Sequence, residues 1–110
     1  MSITVVIPAY NEETSLHRCL ECIKNQNFAL KEIRILLVIA KSKDNTLAIA
    51  KKWRKKNHYL FNGLEIINNR KGSLAAAWNL GIKNCFSKYI ILSSGHFFMN
   101  KNYINILVQA

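Results

Sequence analysis

Polar stretches break an otherwise apolar chain, and their residue types suit a phosphorylated ligand that carries an aromatic base. In Pro8-Ala9-Tyr10-Asn11-Glu12-Glu13, the Tyr10 ring offers a face for a nucleobase, and Asn11 and Glu12 can bond base or ribose edges. In Asn68-Asn69-Arg70-Lys71-Gly72, two cations stand beside a glycine that lets backbone approach a ligand closely, which suits phosphate oxygens. Ser73 can cap a helix, whose first turn adds free N–H groups and the positive end of a dipole. Each feature has a plainer reading beside it: Tyr10 as a plug in the fold, Arg70 as a solvated cation.

Other chemistries find less support. No G-x-G-x-x-G follows the first apolar run and no G-x-x-x-x-G-K-[ST] occurs, which argues against a nicotinamide dehydrogenase or a P-loop NTPase. Cys19 and Cys22 form a C-x-x-C, but it lies within a helical pattern and no second ligand pair stands at metal-binding spacing; packing is the expected role. His17 and His58 read as surface residues of a helix and a loop.

The elements that must position these groups alternate. Ile3 to Ile7 is short, β-branched and apolar, the pattern of a strand buried on both faces, with Pro8 expected to end it. Leu16, Cys19, Leu20 and Ile23 form one helical stripe. A second strand is expected over Ile33 to Ile39, then a helix through about Lys56 capped by Asp44 or Ser42. Leu64 to Ile67 reads as a third strand, followed by a helix with Leu74, Ala77, Trp78, Gly81, Ile82 and Cys85 on one side. Tyr89 to Leu92 reads as a fourth strand, and Tyr103, Ile104, Leu107 and Val108 suggest a closing helix.

Such alternation implies an α/β fold over residues 1–110: a Rossmann-like parallel sheet in the order 3-2-1-4 with helices on both faces. Ligands of such sheets bind beyond the carboxyl ends of the strands where the order reverses, here between strands one and four. The polar loops named above, with Ala40 to Asp44 and Ser93 to Phe98, share that rim. Their convergence points to a nucleotide or another phosphate ester.

Composition sets the wider bounds. A 110-residue chain with 50% hydrophobic residues and a single proline is expected to form one packed domain. It has no run near the roughly 18 apolar residues of a membrane span and no signal-peptide core, so a cytoplasmic location is expected. The net charge of +10 favours anionic partners, and its densest cluster, Lys51 to Lys56, is read first as a solvated helix face and secondarily as a contact for lipid or nucleic acid.

The run Thr4-Val5-Val6-Ile7-Pro8-Ala9-Tyr10-Asn11-Glu12-Glu13 resembles the opening strand and loop of family 2 glycosyltransferases, which have the GT-A fold. The resemblance continues through Leu16, Leu20 and Ile23, Ser42-Lys43-Asp44-Asn45-Thr46 and Ala48-Ile49-Ala50, then Asn69, Gly72, Ala76-Ala77-Trp78-Asn79-Leu80-Gly81-Ile82 and Tyr89-Ile90. It covers nearly the whole chain in order. It implies transfer of a sugar from a nucleotide diphosphate sugar to an acceptor, with inversion at the anomeric carbon. The implied nucleotide-binding positions are Pro8, Ala9, Tyr10, Asn11, Glu12, Asp44, Lys71, Gly72, Ser94 and Gly95.

The chain departs from that pattern. The acidic pair expected after strand two falls at Ile39 and Ala40, and Trp78 stands where the family often has arginine. The D-x-D that holds a divalent metal aligns with Ser94-Gly95-His96, leaving His96 as the candidate ligand and predicting weak affinity for Mn²⁺ or Mg²⁺. The chain ends at Ala110, so a truncated GT-A fold is expected, with the acceptor site and catalytic base outside it and no catalytic residue assigned. A separate chain or self-association would then cover the open side of the sheet. The alternative reading is a non-catalytic basic Rossmann-like module that binds nucleic acid or an anionic membrane surface.

Overall fold

The structure is a computed structural model that describes residues 2–109. Its elements run β1 (Ile3–Ala9), α1 (Leu16–Lys24), β2 (Ile33–Ala40), α2 (Thr46–Asn57), β3 (Gly63–Asn69), α3 (Leu74–Lys83), β4 (Tyr89–Leu92) and α4 (Tyr103–Gln109). Single 3₁₀ turns at Leu30–Glu32 and His58–Leu60 lead into β2 and towards β3. The strands form one parallel sheet in the order β3-β2-β1-β4, with Ile3 opposite both Ile33 and Tyr89, and Leu36 opposite Glu65. The expected topology is the observed one.

Period-2 alternation sorts the strand residues between two cores. Ile3, Val5 and Ile7 of β1 join Ile33, Ile35 and Leu37 of β2 in the larger core, closed by Leu16, Leu20 and Ile23 of α1, Ala50 and Trp53 of α2 and Ile104 of α4. Val6, Leu36 and Val38 face the other way and meet Ala77 of α3, with Ile67, Trp78 and Leu80 beside them. The α1 stripe is buried as its spacing predicts, and Cys19 packs within it. Trp53 Nε1 donates to Glu21 Oε2 (2.8 Å), joining α2 to α1. Lysines 51, 52, 55 and 56 face solvent around that buried indole. Among the described residues, no helix is long and apolar enough to cross a membrane.

One local expectation fails for a physical reason. Pro8 does not end β1, which continues through Ala9 opposite Val38 and Ile39 of β2. The Pro8 carbonyl accepts from Gly95 N (2.9 Å), on the β4 side, and a residue's N–H and C=O point to the same side of a strand. The missing N–H thus faces the side where the β4 ladder has already ended, and pairing with β2 loses nothing. On α3, the apolar stripe is wider than the face it buries. Ala77 and Gly81 are buried, but Leu74 and Ile82 are 51% and 53% exposed. The helix packs on β1, β2 and β3, while Ile90 and Leu92 of β4 remain partly exposed on the same side of the sheet.

Gly81 marks the closest approach of α3 to the sheet, since a Cβ there would collide with both methyls of Val6. Alanine is worth about 1 kcal/mol over glycine inside a helix, whereas overpacking a well-filled contact costs about 1–3 kcal/mol. Val6 lies on a strand held on both sides and cannot retreat. Gly81→Ala should therefore lower stability by up to about 2 kcal/mol in urea unfolding. Combining it with Val6→Ala should cost less than the sum of the two single changes, and simple additivity would show that the contact is not the cause.

Candidate functional site

At the carboxyl ends of the strands, on the α3 side, lies a cleft of about 240 Å³. Its floor is Pro8 and Ala9 of β1, Val38 and Ala40 of β2 and Ala77 of α3; its rim is Tyr10, Glu12, Asn69, Gly72, Ser73, Leu74, Ser94 and His96. The polar groups of separate loops therefore meet in one concavity, where the sheet topology predicts a ligand.

The first loop is held by its backbone. Asn11 takes a left-handed conformation (φ 51°), which asparagine tolerates better than most residues. Its N–H donates to Ser42 Oγ (3.0 Å), and its Oδ1 accepts from Lys43 N (2.9 Å). Glu12 N donates to Thr46 Oγ1 (2.8 Å), and Glu13 N donates to Asp44 Oδ2 (3.1 Å). Asp44 Oδ1 in turn accepts from the Thr46 hydroxyl and from Thr46 N (3.0 Å). The loops after β1 and β2 are thus clasped together through a fully buried threonine.

The Thr46 hydroxyl, more than the amide donors of Thr46 and Glu13, holds the Asp44 carboxyl below the ordinary aspartate pKa of 3.8. The folded value lies below the unfolded one, so this contribution is complete above the ordinary aspartate range. It is lost only as pH falls through the lowered pKa, and the clasp is intact at neutral pH.

Glu12 is the second node. Its carbonyl accepts from Leu16 N (2.9 Å) at the start of α1. Its carboxylate accepts from Ser15 Oγ (2.6 Å) at Oε2 and from His96 Nδ1 (3.1 Å) at Oε1. Ser15 Oγ also lies 2.9 Å from the Gly95 carbonyl, which draws the loop after β4 onto the loop after β1. Gly95 fits here because a Cβ would come within 3.0 Å of Glu12 Cγ and 3.3 Å of Ala9 Cβ. His96 itself is 69% exposed in its side chain, at the lip.

The residues singled out from sequence fall into two groups. Pro8, Ala9, Tyr10, Glu12, Gly72, Ser94 and His96 line the cleft, with Tyr10 55% exposed at its mouth. Asn11, Asp44 and Gly95 stand behind it, engaged in the clasp and in the packing of Glu12. Lys71 lines a separate groove with Arg70 and Lys83 on the outer side of α3. Asn69 and Ser73, expected on the rim with their loop, also line the cleft, whereas Val38, Leu74 and Ala77 were not expected there. Asn69 Oδ1 accepts from Gly72 N (3.2 Å), which shapes the left-handed Gly72 turn (φ 78°), and Ser73 Oγ caps α3 by accepting from Ala76 N (3.1 Å). An Asn three residues before a Gly, followed by Ser, was the available signal.

The residues present do not fit a divalent cation held by the chain. Ser94 and Gly95 supply no carboxylate, and Glu12 is the one acidic residue lining the cleft. A hard cation prefers several carboxylate or carbonyl oxygens over one imidazole.

Beneath the site, the Cys19 thiol donates to the Ser94 carbonyl (3.3 Å). Burial, then Cys22 and Glu12, push its pKa up to about 12. Cys19 should stay unmodified by iodoacetamide at pH 8 in the native protein and react once the chain is denatured; rapid native labelling, read by mass spectrometry, would contradict the packed thiol. Thr46→Val, which keeps shape but leaves the Glu12 N–H unpaired, should cost about 1–3 kcal/mol. It should also speed hydrogen exchange at the Glu12 and Glu13 amides, and unchanged exchange would mean the clasp does not hold the loop.

Comparison with known proteins agrees with this architecture. Residues 4–110 match the family described as Glycosyl transferase family 2. The chain is 32% identical over 108 residues to the dolichyl N-acetyl-alpha-D-glucosaminyl phosphate 3-beta-D-2,3-diacetamido-2,3-dideoxy-beta-D-glucuronosyltransferase of Methanococcus voltae, covering 98% of this chain and 33% of that protein. S. aureus TarS 1-349 in complex with UDP-GlcNAc superposes with a TM-score of 0.82 at 22% identity, covering 99% of this chain and 30% of that one. The mannosyltransferase PcManGT from Pyrobaculum calidifontis, in complex with GDP-Man and Mn²⁺, superposes with a TM-score of 0.74 at 21% identity, covering 86% and 27%. At such identities these two structures speak to the fold alone, a GT-A-type Rossmann-like sheet. The chain spans about a third or less of the length of each of these proteins. By the match over 4–110 and the identity to its relative, this chain belongs to glycosyl transferase family 2.

Proposed function

We propose that the cleft binds a nucleotide diphosphate sugar and that the domain is the donor side of a sugar transferase. The observation that carries this reading is the convergence of Tyr10, Glu12, Asn69, Ser73 and His96 on one cleft at the strand ends. Tyr10, exposed at the mouth, stacks on the base. The first turn of α3, opened by Ser73, offers N–H groups and a positive dipole end to the phosphates. His96, when protonated, adds a cation at the lip, with Glu12 fixing its ring. Glu12 acts here as a positioning residue, its two oxygens holding Ser15 and His96. The relatives support the ligand class: TarS was solved with UDP-GlcNAc and PcManGT with GDP-Man.

The test is thermal unfolding against UDP, GDP, CDP, dTDP and ADP, each with and without Mn²⁺. A ligand at about 100 times its Kd adds roughly 2.7 kcal/mol, so one nucleotide should raise the transition clearly above the others. Because the chain's donor set does not fit a resident cation, Mn²⁺ should change that affinity little. Tyr10→Ala should weaken it by about 1–3 kcal/mol, or roughly 5- to 150-fold. Equal shifts with all five nucleotides that vanish in 0.5 M NaCl (a value on the order of strong screening) would point instead to non-specific polyanion binding by the basic surface.

A further inference from the structure

β3 is an edge strand of the sheet, with α2 packed on one face and α3 on the other. Three grooves run around that edge and adjoin one another. The first, of about 740 Å³, lies between α2 and β3 and is lined by Lys51, Arg54, Lys55 and His58. At Ile66 it meets the second, of about 430 Å³, which Lys41 lines. At Asn68 the second meets the third, of about 620 Å³, which carries Arg70, Lys71 and Lys83 along α3. Asn69 and Ser73 belong both to the third groove and to the nucleotide cleft, so the series ends at the rim of that cleft.

Seven permanent cations line these grooves against one carboxylate, and that one, Glu65, accepts from Arg34 Nε (3.1 Å). Among the described residues, none of the seven forms an ion pair. Arg54 Nε donates to the Leu64 carbonyl (2.8 Å), which anchors that guanidinium at β3. Nearly half of the 16 Lys and Arg residues thus stand unneutralised around one strand edge. Such a row of like charges repels itself and concentrates anions beside it. Its shape narrows the choice of anion. Grooves admit a narrow chain, whereas a flat bilayer would rest on the helices that wall them. No Phe, Tyr or Trp lines any of the three, so bases find no stacking platform and recognition falls on phosphates.

We infer that the β3 edge is a docking track for a linear phosphate polymer, gripped through its phosphates by both flanks of the edge and led to the rim of the nucleotide cleft. None of the seven cations lines that cleft, so the track and the nucleotide site stand or fall separately.

The experiment uses the whole 110-residue chain. Fluorescence anisotropy reads its binding to an end-labelled oligothymidylate of about 20 nucleotides, with an abasic oligonucleotide of equal length and inorganic polyphosphate as competitors. The three polymers should bind within about threefold of one another per phosphate. The logarithm of the binding constant should fall against that of salt with a slope of about −5, from seven contacts at about 0.7 each. Lys51→Gln with Lys55→Gln on α2, and Lys71→Gln with Lys83→Gln on α3, should each weaken binding at least about tenfold near 0.1 M NaCl and flatten the slope by about 1.4. Lys88→Gln with Lys101→Gln removes the same charge away from the grooves and should weaken binding less than about threefold. All six lysines are exposed, so the variants should keep the wild-type circular dichroism. Equal weakening by the three pairs would show a response to net charge alone and overturn the track, as would a flank whose loss has no effect. A preference of about tenfold for thymidylate over the abasic chain would overturn recognition by phosphates and point to bases. Vesicles of phosphatidylserine and phosphatidylcholine that outcompete the polymers per exposed phosphate would replace the track with a membrane surface.

Discussion

All seven residues of β1 are buried, so each N–H and C=O along it must be paired within the fold or remain unsatisfied at about 1–3 kcal/mol apiece. β2 pairs along its whole length, and β4 pairs only over Ile3 to Val6. Past that point the chain leaving β4 takes over, with Ser93 N on the Val6 carbonyl (2.8 Å) and Gly95 N on the Pro8 carbonyl (2.9 Å). The demand for pairing along one buried strand therefore carries the 93–96 loop to the cleft. It also brings Ser94 and His96 opposite Tyr10 without any help from their side chains.

The loop leaving β1 is governed by the same demand at lower burial. The amides of Asn11, Glu12 and Glu13 have no strand to join, and each finds a side-chain oxygen from the segment after β2: Ser42, Thr46 and Asp44. Three hydrogen bonds in sequence fix the path of the loop, and Glu12 extends the network to the loop after β4 through Ser15 and His96. A ligand entering the cleft thus meets a rim already ordered by bonds among the loops, which lowers the entropy it must surrender on binding. Residues that never touch the cleft, Asn11 and Asp44 above all, set the position of those that do.

Strand periodicity made the sheet, its order and the location of the crevice legible in the sequence, because an apolar strand flanked by amphipathic helices allows few other packings. Side-chain roles were harder to read. Asn11 and Asp44 look like ligand-binding groups because short polar side chains serve backbone and ligand alike, and a sequence does not show which amide lies nearby. Pro8 was misjudged because the rule against proline in a strand depends on which neighbour its nitrogen faces. The α3 stripe shows a further limit, since periodicity gives the angular position of a side chain, not the width of the surface opposite it. Leu74 and Ile82 lie on the stripe and outside the contact.

That mismatch between stripe and sheet links the fold to the site's electrostatics. An indole facing an uncovered strand has room beside it, so a gap lined by Leu74, Trp78 and Leu92 opens between α3 and β4. The same position in the resembling family often carries arginine, and the loop it faces often carries carboxylates; here they are Trp78 and Ser94-Gly95-His96. The two changes are mutually consistent, since an arginine at one position and carboxylates at the other would offset each other's charge. Neither Trp78 nor Ser94 carries a charge, so aromatic and hydroxyl surface faces the gap between α3 and β4. At the lip of the cleft the orientation of His96 depends on Glu12 and, through the Glu12 amide, on the buried Thr46.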